Sequence, residues 1–162
     1  QGRHLPIHVA VQLIDRIVDI NLADRKISTE ATVPSTSTIF EGHFPGFPLM
    51  PGVLLIEAMA QTSGWLVVAA NRFERMAFLA AVKDAKFRMF VTPGQKFSVE
   101  ATLVHEGSGY AITKASIALA GKPICDAVLT LRVMDFPNGE MRHKMRETAA
   151  LVGFPTEVPA NG

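Results

Sequence analysis

The chain has 162 residues, of which 48% are hydrophobic and 19% are charged, and its net charge at neutral pH is +1. This length fits one domain with a core of its own, and the balanced charge gives no argument for a nucleic-acid partner. The single cysteine, Cys125, cannot form an internal disulfide. Its strand-like neighbours favour a buried structural thiol over a nucleophile.

Two strands are predicted at the start of the chain. Residues 11–20 are rich in β-branched side chains, and residues 26–33 alternate between polar and apolar. A Ser/Thr-rich loop follows, and residues 53–70 then form an apolar segment whose one charged side chain is Glu57. As a helix this segment would be roughly 27 Å long and buried on most faces. It approaches the length of a membrane span, but its polar residues and strand-like surroundings favour a core helix, so we expect no membrane span.

The second half of the chain predicts further strands separated by tight turns. They cover residues 78–82, 85–91, 97–105, 110–119 and 124–134. Strands segregated around one helix indicate an α+β fold, with a curved antiparallel sheet wrapped around one long central helix, which is the hot-dog fold. We assign residues 1–137 to this single domain and residues 138–162 to a C-terminal extension with a short amphipathic helix and a flexible tail.

The candidate chemistry centres on His43 and Glu57. His43 lies in a proline-rich loop just before the helix, and the free N–H groups of Gly52 and Val53 at the helix start suit a developing negative charge. Glu57 and Gln61 share a helix face, so Gln61 could hold Glu57 by a hydrogen bond. Burial would favour a neutral, proton-donating Glu57, and His43 could accept a proton. These residue types alone leave a purely structural role open.

Residues 43–61, HFPGFPLMPGVLLIEAMAQ, resemble the signature HFPxxPxMPGVLxxEAxAQ of the FabZ-type 3-hydroxyacyl-[acyl-carrier-protein] dehydratases at every fixed position. The flanking segments LIDRI at residues 13–17, AKFR at residues 85–88 and VTPG at residues 91–94 also resemble that family. The opening LPIHVAVQLIDR departs from the usual family pattern, and residues 138–162 extend beyond the common family end. Both departures concern substrate chain length and partner choice more than the chemistry.

The resemblance implies dehydration of a 3-hydroxyacyl thioester to the trans-2-enoyl thioester, in fatty-acid or lipid biosynthesis in the cytoplasm. His43 would remove the α-proton, Glu57 would protonate the departing hydroxyl, and the Gly52 N–H would polarise the thioester carbonyl. The family's active site lies at a dimer interface, with the His from one subunit and the Glu from the other. This implies a homodimer, which in this family often assembles into a trimer of dimers, and no metal or diffusible cofactor.

The implied partner is an acidic acyl carrier protein, which local basic residues could bind, although the same residues could form an ordinary solvated surface. The candidates are Arg72, Arg75, Lys83, Lys86 and Arg88.

An apolar tunnel for the acyl chain is expected beside the helix. Each of its candidate lining residues could equally belong to the core: Phe44, Phe47 and Met50. The remaining histidines have no metal-site spacing: His4, His8, His105 and His143.

Three other functions stay open. A dehydratase/isomerase relative has a similar fold and His position, but it typically carries Asp where this chain has Glu57. A hot-dog thioesterase fits the His/Glu pair less well than elimination does. A non-catalytic module that binds acyl carrier protein would survive replacement of His43 without functional loss. The sequence does not fix the acyl chain length or the carrier protein.

Overall fold

A computed structural model describes residues 13–33, 50 and 52–155 of the chain. In this part the elements, in chain order, are β1 (Arg16–Asn21), β2 (Lys26–Thr32), α1 (Gly52–Ala70), β3 (Arg75–Phe87), β4 (Lys96–Gly107), β5 (Tyr110–Leu119), β6 (Lys122–Asp135) and α2 (Gly139–Leu151). The strands form one antiparallel sheet in the order β1-β2-β4-β5-β6-β3. Helix α1 packs across five of them, β2 to β6. The predicted α+β architecture, a sheet around one long helix, is confirmed.

Helix α1 is the centre of the core. Its side chains Ala58, Met59 and Leu66 are fully buried, and they lie against inward-facing residues of the strands, such as Leu129 and Leu131. Length and composition alone would let α1 cross a membrane, but 61% of its apolar window is buried inside the protein. Covered in this way, α1 has the environment of a core helix, as the sequence predicts.

Strand β3 corrects the prediction of two separate strands at residues 78–82 and 85–91. The structure has one continuous strand, which pairs with β6 through register shifts between Leu79 and Ala81 and between Lys83 and Lys86. The second shift contains Asp84, which has a positive φ of 56°, so the apolar pattern is interrupted there while the strand continues. Residues 88–91 leave the strand.

Strand β1 also begins later than predicted. Residues 11 and 12 lie outside the described part of the chain, and residues 13–15 are not strand. The Leu13 N–H donates to the side chain of Gln61 at 3.0 Å, whereas a regular strand residue would direct it to a neighbouring backbone. The residues that precede β1 therefore contact α1 and do not extend the strand.

Two buried hydroxyl pairs fix α1 against the sheet. Thr62 and Thr29 of β2 are joined at 2.8 Å between their Oγ1 atoms, and Ser63 Oγ lies 2.7 Å from Thr113 Oγ1 of β5. All four side chains are completely buried, so each hydroxyl depends on its protein partner for a hydrogen bond. Because the pairs follow Gln61 directly, they set the rotation of the helix face that carries Glu57.

Substituting Val for Thr62 is expected to reduce the free energy of unfolding by about 1–3 kcal/mol, because the Thr29 hydroxyl is left buried without its partner. Urea denaturation measures the change. The double substitution of Thr29 and Thr62 by Val should cost less than the sum of the single ones. The exposed Thr32 of β2 provides a control, and equal losses for T62V and T32V would contradict the role of the pair.

Candidate active site

Glu57 occupies the second turn of α1 and is partly buried in the single chain. Its Oε2 accepts a hydrogen bond of 3.1 Å from Gln61 Nε2, which confirms the predicted contact. Gln61 Oε1 in turn accepts the Leu13 N–H at 3.0 Å. A backbone N–H can only donate, so Leu13 fixes which end of the Gln61 amide is the acceptor and turns Nε2 towards Glu57. This support from Leu13 has no signal in the sequence.

The start of α1 lies beside the end of β3. Gly52 is the first helical residue, and a Cβ at this position would meet the Phe87 ring at 3.5 Å, an ordinary contact. Gly52 is not among the residues with positive φ, so neither backbone conformation nor space requires glycine here. Met50 anchors the approach to the helix by donating its N–H to Val91 O at 2.7 Å. The sequence analysis did not predict that Phe87 lies next to the helix start.

Several predicted site residues fall outside the described part of the chain. His43, Phe44 and Phe47 are among them, so the base and two candidate tunnel residues stay predictions. Met50 is described and is 4% exposed, within the hydrophobic core. Val53 is 69% exposed, so this side chain of the first turn of α1 faces solvent in the single chain.

The five basic residues proposed for docking do not form one surface. Arg72 follows the C-terminal end of α1, and Arg75 begins β3, where it pairs with Asp135 at 3.6 Å. The other three lie at the opposite end of β3, near the start of α1: Lys83, Lys86 and Arg88. Along β3, the eight-residue step from Arg75 to Lys83 spans about 26 Å. Arg88 contacts Asp126 at 2.7 Å, so a partner would meet this cation as an ion pair.

Cys125 is completely buried on β6, as the sequence predicts. Burial, reinforced by the nearby Asp126 carboxylate, raises the pKa of Cys125 to about 11. A thiol that stays neutral at physiological pH is a poor nucleophile. Within the described ranges, no group of three or more His, Cys, Asp or Glu side chains has metal-binding geometry. His105 instead contacts Tyr110 Oη at 3.0 Å, and His143 lies 3.4 Å from Glu147.

Comparison with known proteins gives this arrangement a family. Residues 5–128 match the FabA-like domain. The 3-hydroxyacyl-[acyl-carrier-protein] dehydratase FabZ of Lactiplantibacillus plantarum is 34% identical over 130 residues, which cover 80% of this chain and 88% of that protein. The FabZ of Levilactobacillus brevis is 35% identical over 130 residues, which cover 80% and 87%.

Among solved structures, the dehydratase heterocomplex ApeI:P of Xenorhabdus doucetiae superposes with a TM-score of 0.60 at 16% identity, covering 89% of this chain and 99% of that one. At this identity the likeness concerns the fold alone. The family match and the FabZ relatives cover the segment that contains Glu57, Gln61 and the helix start. The chain therefore belongs to the FabA-like family and, within it, to the FabZ-type dehydratases.

Proposed function

We propose that this protein is a 3-hydroxyacyl-[acyl-carrier-protein] dehydratase, which eliminates water from a 3-hydroxyacyl thioester and leaves the trans-2-enoyl thioester on the carrier. The observation that carries the proposal is Glu57 on the second turn of the core helix, with its carboxylate held by Gln61. FabZ relatives named for this reaction are 34% and 35% identical to the chain over most of its length.

In the proposed mechanism His43 accepts the proton from C2, beside the thioester carbonyl. Glu57 gives a proton to the 3-hydroxyl, which leaves as water while the C2=C3 double bond forms. The Gly52 N–H, at the positive end of the α1 dipole, stabilises the negative charge that develops on the carbonyl oxygen. After elimination His43 is protonated and Glu57 is a carboxylate, and the Gln61 N–H is placed to support that anion. Proton transfer back to Glu57 through solvent completes the cycle.

We infer a homodimer in which His43 of one subunit meets Glu57 of the partner. Strand β3 lies at the end of the sheet order, and all residues from 80 to 90 are exposed in the single chain. Its exposed apolar side chains include Phe78, Val82 and Phe87. A long, partly apolar edge strand is a ready template for pairing with a second chain. Assembly of such dimers into a trimer of dimers is compatible with this arrangement.

Substituting Lys for Val82, which is 38% exposed on β3, is expected to shift the protein towards monomers and to reduce turnover with it. Each dimer would then bring two new charges to an apolar contact, where their desolvation is unfavourable. Val18, 47% exposed on the opposite edge strand β1, gives the matched control. Light scattering coupled to size exclusion measures the mass. Equal dimer content in V82K and V18K would contradict the β3 interface.

For the carrier protein we propose docking at the end of β3 that carries Lys83, Lys86 and Arg88. This end adjoins the start of α1, where Phe87 packs near Gly52. Arg72 and Arg75 lie at the far end of α1 and do not belong to this proposal. The family resemblance also implies a cytoplasmic location.

A direct test is to incubate the protein with 3-hydroxyacyl carrier protein and to follow the absorbance of the enoyl thioester, with the products separated by chromatography. The proposed function predicts trans-2-enoyl carrier protein. A cis-3-enoyl product would indicate the isomerase alternative, and free carrier thiol would indicate a thioesterase. Binding of the carrier without any product would support the non-catalytic module and contradict the proposal.

A further inference from the structure

Beyond the family match, helix α2 of the described chain is closed by a tight turn. Helix α2 starts at an Asn138 cap, whose Oδ1 accepts the Met141 N–H at 2.8 Å. At the other end Gly153 has a φ of +79°, and Phe154 N–H donates to Ala149 O at 2.8 Å. This left-handed glycine closure is a common helix C-terminus. It turns the chain back, and we call residues 149–154 the C-terminal clamp.

The clamp contacts the core through the Phe154 ring and through the backbone carbonyl of Val152. The centroid of the Phe154 ring lies 5.7 Å from that of the Trp65 ring of α1. It lies 5.3 Å from the centroid of the Phe73 ring, which it meets edge to face. The carbonyl of Val152, a residue that is 1% exposed, accepts the Ile17 N–H of β1 at 2.7 Å. The clamp therefore joins the central helix to the outer edge of the sheet.

Both contacts lead to the residues that support Glu57. Trp65 follows Gln61 by four positions, so the two share the face of α1 that carries Glu57. On the other side, Ile17 follows Leu13 by four positions, and the Leu13 N–H is the donor that holds Gln61 Oε1. Residues 13–17 thus lie between the Gln61 contact at one end and the clamp contact at the other.

We propose that the clamp is a positioning element for Glu57, with Phe154 as its anchor. By holding residues 13–17 against α1, the clamp keeps the Leu13 N–H within hydrogen-bond distance of Gln61. Gln61 then presents Nε2, and not its oxygen, to the carboxylate. If Leu13 moves away, the Gln61 amide can turn over and place an acceptor against an acceptor. The clamp's catalytic role rests on the proposed dehydratase function.

Removing the Phe154 ring by substitution with Ala is expected to lower kcat roughly tenfold with KM changed by less than about twofold, since the substrate itself is not contacted. Phe154→Leu, which refills the space, should restore most of the rate. Leu151→Ala, at a position 75% exposed on the same helix, should behave as wild type. Thermal unfolding confirms that each variant is folded at the assay temperature. Gly153→Ala is a second way to disturb the clamp: alanine is strained at this positive φ, so the substitution displaces the clamp without removing the Phe154 ring.

A double-mutant cycle separates positioning from general loosening. In the Gln61→Ala background, Phe154→Ala should lower kcat no further, because the group through which it acts is gone. If the two effects simply multiply, the proposal is wrong.

Amide exchange gives a readout that needs no turnover. The Leu13 and Ile17 amides should exchange faster in Phe154→Ala than in Leu151→Ala, since each loses the contact that protects it. Unchanged exchange at Leu13 would overturn the clamp whatever the activity. Absence of turnover in the wild type, with faster exchange at Leu13 in Phe154→Ala, would contradict the proposed function and leave the structural link intact.

Discussion

Replacing Glu57 by Gln is expected to lower kcat by about 10²- to 10⁴-fold, the usual loss when a general acid is removed. Glutamine has nearly the same shape and can still hydrogen-bond to Gln61, as the carboxylate does at 3.1 Å. It has no acidic proton to give to the departing hydroxyl. Because the packing is conserved, the loss should fall on kcat with little change in KM. Initial rates of enoyl-thioester formation, at several substrate concentrations, measure both constants.

Glu100, which is exposed on β4, supplies the control for this charge change. E100Q should match wild type in turnover, and E57Q should match it in unfolding temperature and in oligomer mass. If E57Q keeps more than about a tenth of the wild-type kcat, Glu57 is not the proton donor and the contact with Gln61 has a structural purpose only.

The second large effect is expected at the helix start. Gly52→Pro removes one N–H while keeping a φ suited to the first turn of a helix. If that N–H stabilises the developing oxyanion, kcat should fall by roughly 10²- to 10³-fold. Gly52→Ala keeps the N–H, and its methyl group would meet Phe87 at 3.5 Å, an ordinary contact. The alanine variant should therefore remain active within a few-fold of wild type.

The two variants together separate the backbone donor from the space around it. Circular dichroism and thermal unfolding establish that α1 is retained in each. Equal activity of G52A and G52P would contradict a role for the Gly52 N–H, and a large loss in G52A would point instead to close approach of substrate or of the second subunit at this position.

Local patterns made much of the fold predictable. The apolar segment predicted at residues 53–70 corresponds to α1 at Gly52–Ala70, and the strand predicted at residues 110–119 is β5 at Tyr110–Leu119. One of the tight turns predicted between the later strands is present before β4, with Gly94 at a φ of 84° and Gln95 N–H donating to Thr92 O. Each of these elements depends on residues that are neighbours in the chain, and the conformational preferences of those residues can be read from the sequence. The two bulges of β3 break its alternation, which is why that strand appeared as two pieces.

The same distinction applies to the candidate site. The contact between Glu57 and Gln61 follows from their spacing on one helix, and the structure contains it. Leu13, which orients Gln61, is 48 positions away from it in sequence. Phe154 is likewise far from Trp65 in sequence, although their rings are in contact. Such contacts depend on how whole helices and strands pack against each other, so no local sequence pattern predicts them. For the same reason the five basic residues, neighbours in sequence, divide between the two ends of β3.

Mixing two inactive variants tests the central claim, that His43 and Glu57 of different subunits perform the elimination. H43A and E57Q are each expected to form enoyl thioester at a very low rate. After subunit exchange, confirmed by mass spectrometry, half of the dimers should be mixed, and each mixed dimer should have one site with both residues intact. The account predicts recovery of about a quarter of wild-type activity. No recovery in verified mixed dimers would contradict the shared site, and substantial activity in either variant alone would contradict the acid–base pair.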